Sequence, residues 1–404
     1  MANKKNKIKK IVLAYSGGLD TSVILPWLRE KYDCEVVAFV ADVGQGIEEL
    51  DGIKAKALAT GACAVEVADL RKEFAEDYCF KMLQAGAAYE KNYLLGTSIA
   101  RPLIAQAQVA CARKHRADAV SHGATGKGND QVRFELTFMA LAPKLKIIAP
   151  WKDPSFELTS REAAVDYAKA RGIPIAQSKK KIYSRDRNLW HISHEGADLE
   201  DPANEPRDDL FMMSKPLGKT PAKGSYVQID FLRGKPVAID GVKLPGHVLI
   251  EKLNAIGGKH GVGQEDLVEN RLVGIKSRGV YETPGGTILY RAHQALETIT
   301  LDKDTLHYKQ KVALEYAQLV YDGKWFCPLR EALDAFVAKT QRKVTGCVRI
   351  KCFRGHALLA GVESKNSLYS DALASFTMGE EYTPSDATGF IKLFGLQMKG
   401  RGKA

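Results

Sequence analysis

From Lys9 to Gly172 short apolar runs alternate with longer stretches in which apolar residues recur at helical spacing. The runs lie at 11–15, 35–41, 63–68, 117–121 and 146–149, and the clearest helical stretches at 48–60 and 104–115. Near-continuous apolar runs fit strands covered on both faces, and their alternation with helices predicts a doubly wound parallel sheet. Ligands of such sheets gather beyond the carboxyl ends of the strands, so the loops beginning at Ser16, Asp42 and His122 are expected to converge on one ligand. Pro26 falls inside the first predicted helix, where a proline costs about 3 kcal/mol; a kink is expected there and not a helix end.

After Gly172 the texture changes. Residues 184–209, rich in Asp, Glu, Pro, Asn and Arg, read as a long ordered loop, and strands at 226–231 and 236–239 flank Arg233-Gly234 as a hairpin. A helix is expected over 246–255, and 287–321 reads as one helical stretch with apolar residues at 306, 313, 314, 317 and 320. Strands return at 346–352 and 356–362 around Arg354-Gly355, and an arm from Glu363 ends in a basic tail. The expected fold class is α/β: a doubly wound parallel-sheet nucleotide-binding domain at 1–172, an α+β domain at 173–362 and a C-terminal arm at 363–404.

Between the first apolar run and the first helix lies Ser16-Gly17-Gly18-Leu19-Asp20-Thr21. Such a loop is an anion trap: the glycines admit a ligand to the backbone, hydroxyls at 16, 21 and 22 can donate, and the helix N-terminus offers unpaired N–H groups. Phosphate or pyrophosphate suits it. No Gly-Lys-Ser/Thr closes the loop, and it holds no lysine to reach a transferred terminal phosphate. The Ser-Gly-Gly-x-Asp-Thr pattern resembles instead the pyrophosphate loop of the ATP pyrophosphatases, which cleave ATP between the α and β phosphates and adenylate a substrate. A second dense stretch, 121–135, carries glycines beside hydroxyl, amide, carboxylate and guanidinium groups, a mixture able to recognise a nucleotide and zwitterionic amino acids.

Composition narrows the classes. The 404 residues, 45% hydrophobic and 26% charged, suffice for two domains of ordinary soluble character. No apolar run approaches a membrane span and residues 1–10 carry no segment of signal-peptide type, so a cytoplasmic location and no membrane partner are expected. Seven scattered cysteines without Cys-x-x-Cys spacing predict reduced thiols and no metal site. The net charge of +11 raises the question of nucleic acid. Five of those charges sit at Lys4, Lys5, Lys7, Lys9 and Lys10 and three at Lys399, Arg401 and Lys403, which reads as solvated, mobile ends, so no nucleic-acid partner is expected.

Taken together the motifs resemble the argininosuccinate synthase family. The resemblance rests on 14–22, on Tyr93-Leu94-Leu95-Gly96-Thr97-Ser98 with Ala100-Arg101-Pro102, and on 121–135. In the second half it rests on Asn188-Leu189-Trp190-His191-Ile192-Ser193, on 258–263, on 268–284 and on Asp386-Ala387-Thr388-Gly389-Phe390. It implies a ligase of arginine biosynthesis that joins citrulline and aspartate through a citrullyl-adenylate, releasing AMP and pyrophosphate, with Mg²⁺ arriving on the ATP phosphates. It implies also a homotetramer joined by the C-terminal arm. Carried over by position, Ala14, Tyr15, Ser16, Gly17, Gly18, Leu19, Asp20, Thr21, Ser22, Ala41 and Gly123 would bind ATP. Tyr93, Ser98, Asn129, Arg133, Ser184, Ser193, Glu269 and Tyr281 would hold citrulline, and Thr125, Asn129 and Asp130 aspartate. Asp20 and Asp130 are the implied catalytic carboxylates. Pro26, Arg185, Arg187 and Glu265 depart from the family pattern without touching an implied ligand. Two rivals remain: a pyrophosphate-loop tRNA-modifying enzyme, disfavoured by the absence of a reactive cysteine pair, and a nucleotide-binding protein without turnover.

Overall fold

The structure, a computed structural model, describes residues 7–126, 128–174, 183–375 and 383–401. Lys4, Lys5, Lys127 and Lys403 lie outside the described residues. Five strands form the first sheet: β1 (Lys10–Ala14), β2 (Glu35–Asp42), β3 (Ala64–Asp69), β4 (Ala119–Ser121) and β5 (Lys146–Ile148), ordered β3-β2-β1-β4-β5 and all parallel. Alternation along β1 sends Ile11 and Leu13 to one face, against Ile24, Leu25 and Leu28 of the helix Leu19–Tyr32. Val12 goes to the other face, where it meets Ala105, Val109, Phe134 and Phe138 from the helices Gly96–Lys114 and Asp130–Leu141. Strand order reverses between β1 and β4, which opens a crevice at their carboxyl ends. The helix Leu19–Tyr32 runs through Pro26 without ending, whereas 48–60 divides at Asp51-Gly52 into Ile47–Leu50 and Ile53–Ala59.

The second half builds two antiparallel sheets from β6 (Ser184–Arg187), β7 (Ile192–Glu195), β8 (Ser225–Leu232), β9 (Lys235–Ile239), β10 (Val242–Lys243), β11 (Gln264–Asn270), β12 (Lys276–Glu282), β13 (Gly346–Phe353) and β14 (His356–Glu363). Their orders are β10-β9-β8-β13-β14 and β11-β12-β7-β6. The β8–β9 hairpin turns as expected, with Arg233 and Gly234 both at positive φ (51° and 75°), the combination that matches the twist of the flanking strands. Three expectations need correcting. The stretch 184–209 is not a loop throughout, because β6 and β7 pair within it and β7 pairs onward to β12. The stretch 287–321 is two helices, Pro284–Thr300 and Lys303–Tyr321; Asp302 accepts from the Thr305 N–H and starts the second. Lys7 and Lys10 belong to the fold and not to a free end, pairing with Asp33 and Glu35.

The largest hydrophobic cluster crosses between the halves: Phe74, Tyr78, Phe80, Leu83 and Leu103 pack with Trp190, Leu249, Leu253, Leu289, Tyr316 and Trp325. Tyr78 and Trp325 stack at 4.5 Å. All seven cysteines are unpaired, and among the described residues no helix is long and apolar enough to cross a membrane. In the arm, the helix Asp386–Phe394 leaves Phe390, Ile391, Leu393 and Phe394 each more than 60% exposed in the single chain.

Candidate active site

The turn from β1 into its helix is held by its own hydroxyls. Ser16 Oγ and Thr21 Oγ1 lie 3.2 Å apart, the Gly18 N–H donates to Ser16 Oγ, and Tyr15 OH meets Ser22 Oγ at 3.1 Å. Gly17 takes φ +72°, and a Cβ there would stand 3.1 Å from the Ile53 side chain, so both backbone conformation and space call for glycine. A slot of about 310 Å³ runs from this loop over the ends of β1 and β2, lined by Ala14, Tyr15, Ser16, Gly18, Asp20, Thr21, Ala41 and Gly123. Burial raises the Asp20 carboxyl above its ordinary range, against the opposing charge of Arg161.

The slot opens into a cleft of about 840 Å³ between the halves. Strand register explains one wall. Asp186, Ser193 and Tyr281 stand abreast across β6, β7 and β12, and side chains abreast share a face. Ser184 and Glu195 are two positions from Asp186 and Ser193, and Glu269 is four from Glu265, the β11 partner of Tyr281, so period-2 alternation brings all of them to that face. The opposite wall carries Thr97 and Arg101, one turn apart on the helix Gly96–Lys114, and Asp130 and Arg133, three apart on Asp130–Leu141.

These walls meet in a charge network. Arg101 donates from Nε to Asp130 Oδ2 and pairs through NH2 with Asp186 Oδ2, both at 2.8 Å. Arg133 donates from NH1 to Asp130 Oδ1 at 3.1 Å and from Nε and NH2 to the Tyr321 carbonyl. Burial alone would raise the Asp130 carboxyl; the two guanidiniums outweigh it and hold it below the usual carboxylate range. Glu269, in contrast, is raised by burial although Arg133 opposes the shift; it accepts from Tyr281 OH and Tyr321 OH at 3.1 Å each. Tyr93 lies over Tyr281 with ring centroids 4.5 Å apart. Thr97 donates to Asp186 Oδ2 at 2.8 Å, so His191 Nε2, 2.9 Å from the same hydroxyl, must be the protonated nitrogen. Its Nδ1 is buried without a partner among the described residues, and burial depresses the ring pKa to about 4.

The cleft thus gathers Gly17, Tyr93, Thr125, Asn129, Asp130, Arg133, Ser184, Ser193, Glu269 and Tyr281 from the residues expected on sequence grounds. Three others line neither cavity. Leu19 packs toward the helix Arg161–Ala170, Ser22 is bonded to Tyr15, and Ser98 is fully buried with its hydroxyl unpartnered among the described residues. Of the departures, Arg185 donates to His194, Arg187 pairs with Glu48 at 2.7 Å, and Glu265 accepts from Asn92. Sequence reasoning missed Lys56, Arg101, Asp186, Glu195 and Arg271 as cleft residues. Arg101 and Arg271 lie inside the family-like motifs at 100–102 and 268–284, which is the available signal; Lys56 carries none.

The chain matches the arginosuccinate synthase N-terminal HUP domain over residues 10–174 and the arginosuccinate synthase C-terminal domain over residues 183–401. It is 60% identical over 393 residues to an argininosuccinate synthase of Carboxydothermus hydrogenoformans, covering 97% of each chain. It is 56% identical over 400 residues to the chloroplastic argininosuccinate synthase of Arabidopsis thaliana, covering 99% of this chain and 81% of that protein. With the argininosuccinate synthase of Moorella thermoacetica it shares 58% over 393 residues, 97% of this chain and 96% of the relative.

Proposed function

The chain belongs to the argininosuccinate synthase family, ATP-dependent ligases of citrulline and aspartate in arginine biosynthesis, and we propose how its cleft divides that reaction. The loop 14–22, with Ala41 and Gly123, takes ATP, its adenosine in the slot and its phosphates toward the cleft. Mg²⁺ would come with those phosphates and shield their charge, and Asp20 and Glu49 are carboxylates of the same slot that could help hold it, since one or two suffice. Tyr93, Asn129, Arg133, Ser184, Ser193, Glu269 and Tyr281 hold citrulline, and Ser98, buried outside both cavities, acts only through the helix that carries Thr97 and Arg101. Thr125, Asn129 and Asp130 hold aspartate.

In the first step the ureido oxygen of citrulline bonds to the α-phosphorus and the bond to the β-phosphate oxygen breaks, its electron pair leaving with pyrophosphate. In the second, the aspartate amine bonds to the ureido carbon, AMP leaves with the oxygen, and the nitrogen gives up a proton. Asp130 acts as a fixed anion and not as the proton acceptor, because two guanidiniums keep it ionised and occupied. It orients Arg101 and Arg133 and faces the ammonium of aspartate. Alignment of three substrates in one cleft supplies much of the catalysis.

The observation that carries this reading is the continuity of one cleft from Ser16-Gly17-Gly18 to Glu269 and Tyr281. The same reading divides the chain at 1–172, 173–362 and 363–404, with the cleft on the first seam. It uses the exposed Phe390, Ile391, Leu393 and Phe394 face to join a homotetramer in the cytoplasm, with no nucleic-acid or membrane partner. The test is multiple-turnover release of AMP and pyrophosphate from MgATP. Release that needs both citrulline and aspartate, and is lost in Asp130→Ala, supports it; full turnover in Asp130→Ala refutes the role given to Asp130.

A further inference from the structure

The loop after β1 contains no lysine, yet a lysine stands against it. Lys56, on the helix Ile53–Ala59, donates from Nζ to the Gly17 carbonyl across 39 residues of sequence. Ile53 of the same helix closes on the space beside the Gly17 α-carbon, so the helix is seated on the loop at two points. Lys56 lines the cleft next to Ser16, Gly17 and Gly18. Its partner is a neutral carbonyl, and among the described residues no carboxylate forms an ion pair with it; burial lowers its pKa with no opposing charge. A part-buried ammonium whose partner is a neutral carbonyl keeps its charge and its remaining N–H groups free for an anion.

We propose that Lys56 binds the β and γ phosphates of ATP and stabilises pyrophosphate as it leaves, supplying from a neighbouring helix the cation that the loop lacks. The inference rests on the assignment of the loop to ATP made above. As the ureido oxygen bonds to the α-phosphorus and the bond to the bridging oxygen breaks, charge grows on the pyrophosphate. Lys56 remains an ammonium and transfers no proton; one N–H stays on Gly17 and two are left for phosphate oxygens. Because the leaving group gains charge, this contact strengthens toward the transition state.

A lysine that merely pinned the loop would support every adenine nucleotide alike, which provides the test. Product inhibition of the full-length enzyme is measured with magnesium pyrophosphate and, separately, with AMP, which has no β-phosphate. In Lys56→Met the inhibition constant for pyrophosphate is expected to rise about 10–100-fold, the loss of a charged hydrogen bond, with a lower kcat. The constant for AMP stays at the wild-type value, and Lys56→Arg recovers much of the pyrophosphate affinity. If Lys56→Met does not fold, Lys56→Gln, whose amide can still donate to Gly17, makes the same comparison. Unchanged pyrophosphate inhibition in these variants overturns the inference alone, as does an equal weakening of AMP. A wild-type enzyme that pyrophosphate fails to inhibit overturns it together with the assignment of the loop.

Discussion

Asp186→Asn is the sharpest probe of how the two halves are joined. Arg101, with a side chain only 16% exposed, holds Asp130 on one side and Asp186 on the other, each at 2.8 Å, and Thr97 adds a second donor to Asp186. Asp130 belongs to the first half and Asp186 to β6 of the second, so the guanidinium is a charged clasp across the cleft. Stripping one partner from a buried pair costs about 3–5 kcal/mol when the remaining charge is left alone. Here Arg101 keeps Asp130, and the asparagine oxygen still accepts, so the cost is reduced to about 1–2 kcal/mol. At about 2–4 °C per kcal/mol for a large domain, the melting midpoint should fall by about 2–8 °C in scanning calorimetry. Turnover assays of the same variant should show a raised KM for aspartate, because Arg101 and Asp130 lose their fixed placement. A cycle with Arg101→Met isolates the pair, and the combined variant should lose less than the two single losses added. A midpoint within about 1 °C of wild type would falsify the argument, since the clasp would then contribute nothing.

His191 gives a pH dependence with a definite sign. Its folded pKa of about 4 lies below the ordinary value of 6.5, so the unfolded chain takes up the proton first, and stability falls as pH drops from 6.5 toward 4. The loss amounts to about 3 kcal/mol at most, and thermal melts of His191→Gln between pH 7 and pH 4.5 should show a shallower decline than wild type. Arg133→Lys keeps the charge but not the fork that reaches Asp130 and the Tyr321 carbonyl together, and turnover should fall about tenfold or more in a pyrophosphate-release assay. Gly17→Ala places a side chain at φ +72° against Ile53; it should cost about 1–2 kcal/mol in urea denaturation and raise the KM for ATP while leaving that for citrulline near wild type.

The parallel sheet was legible because its inner strands β1, β2 and β4 are covered on both faces, and a doubly buried strand must be a run of apolar residues whatever its neighbours are. The expected runs at 11–15 and 35–41 coincide with β1 and β2 to within a residue at either end. β11 was not legible, since Gln264-Glu265-Asp266-Leu267-Val268-Glu269-Asn270 has no apolar alternation, and it is a strand because seven residues pair with β12. Likewise β6 and β7 looked like loop, as their polar residues face a cleft that exists only once the halves pack together.

Local chemistry therefore determined the glycine-rich turn after β1, the apolar sheet and, through matched motifs, the family. A turn of small residues entering a helix has its capacity to bind an anion written into adjacent positions. The tertiary structure alone decided the rest. Lys56 meets Gly17, and Arg101 meets Asp130 and Asp186, across gaps of 29 to 85 residues. Charges so far apart in sequence leave no periodic trace, and only the packing of helix against strand sets which of them share a cleft.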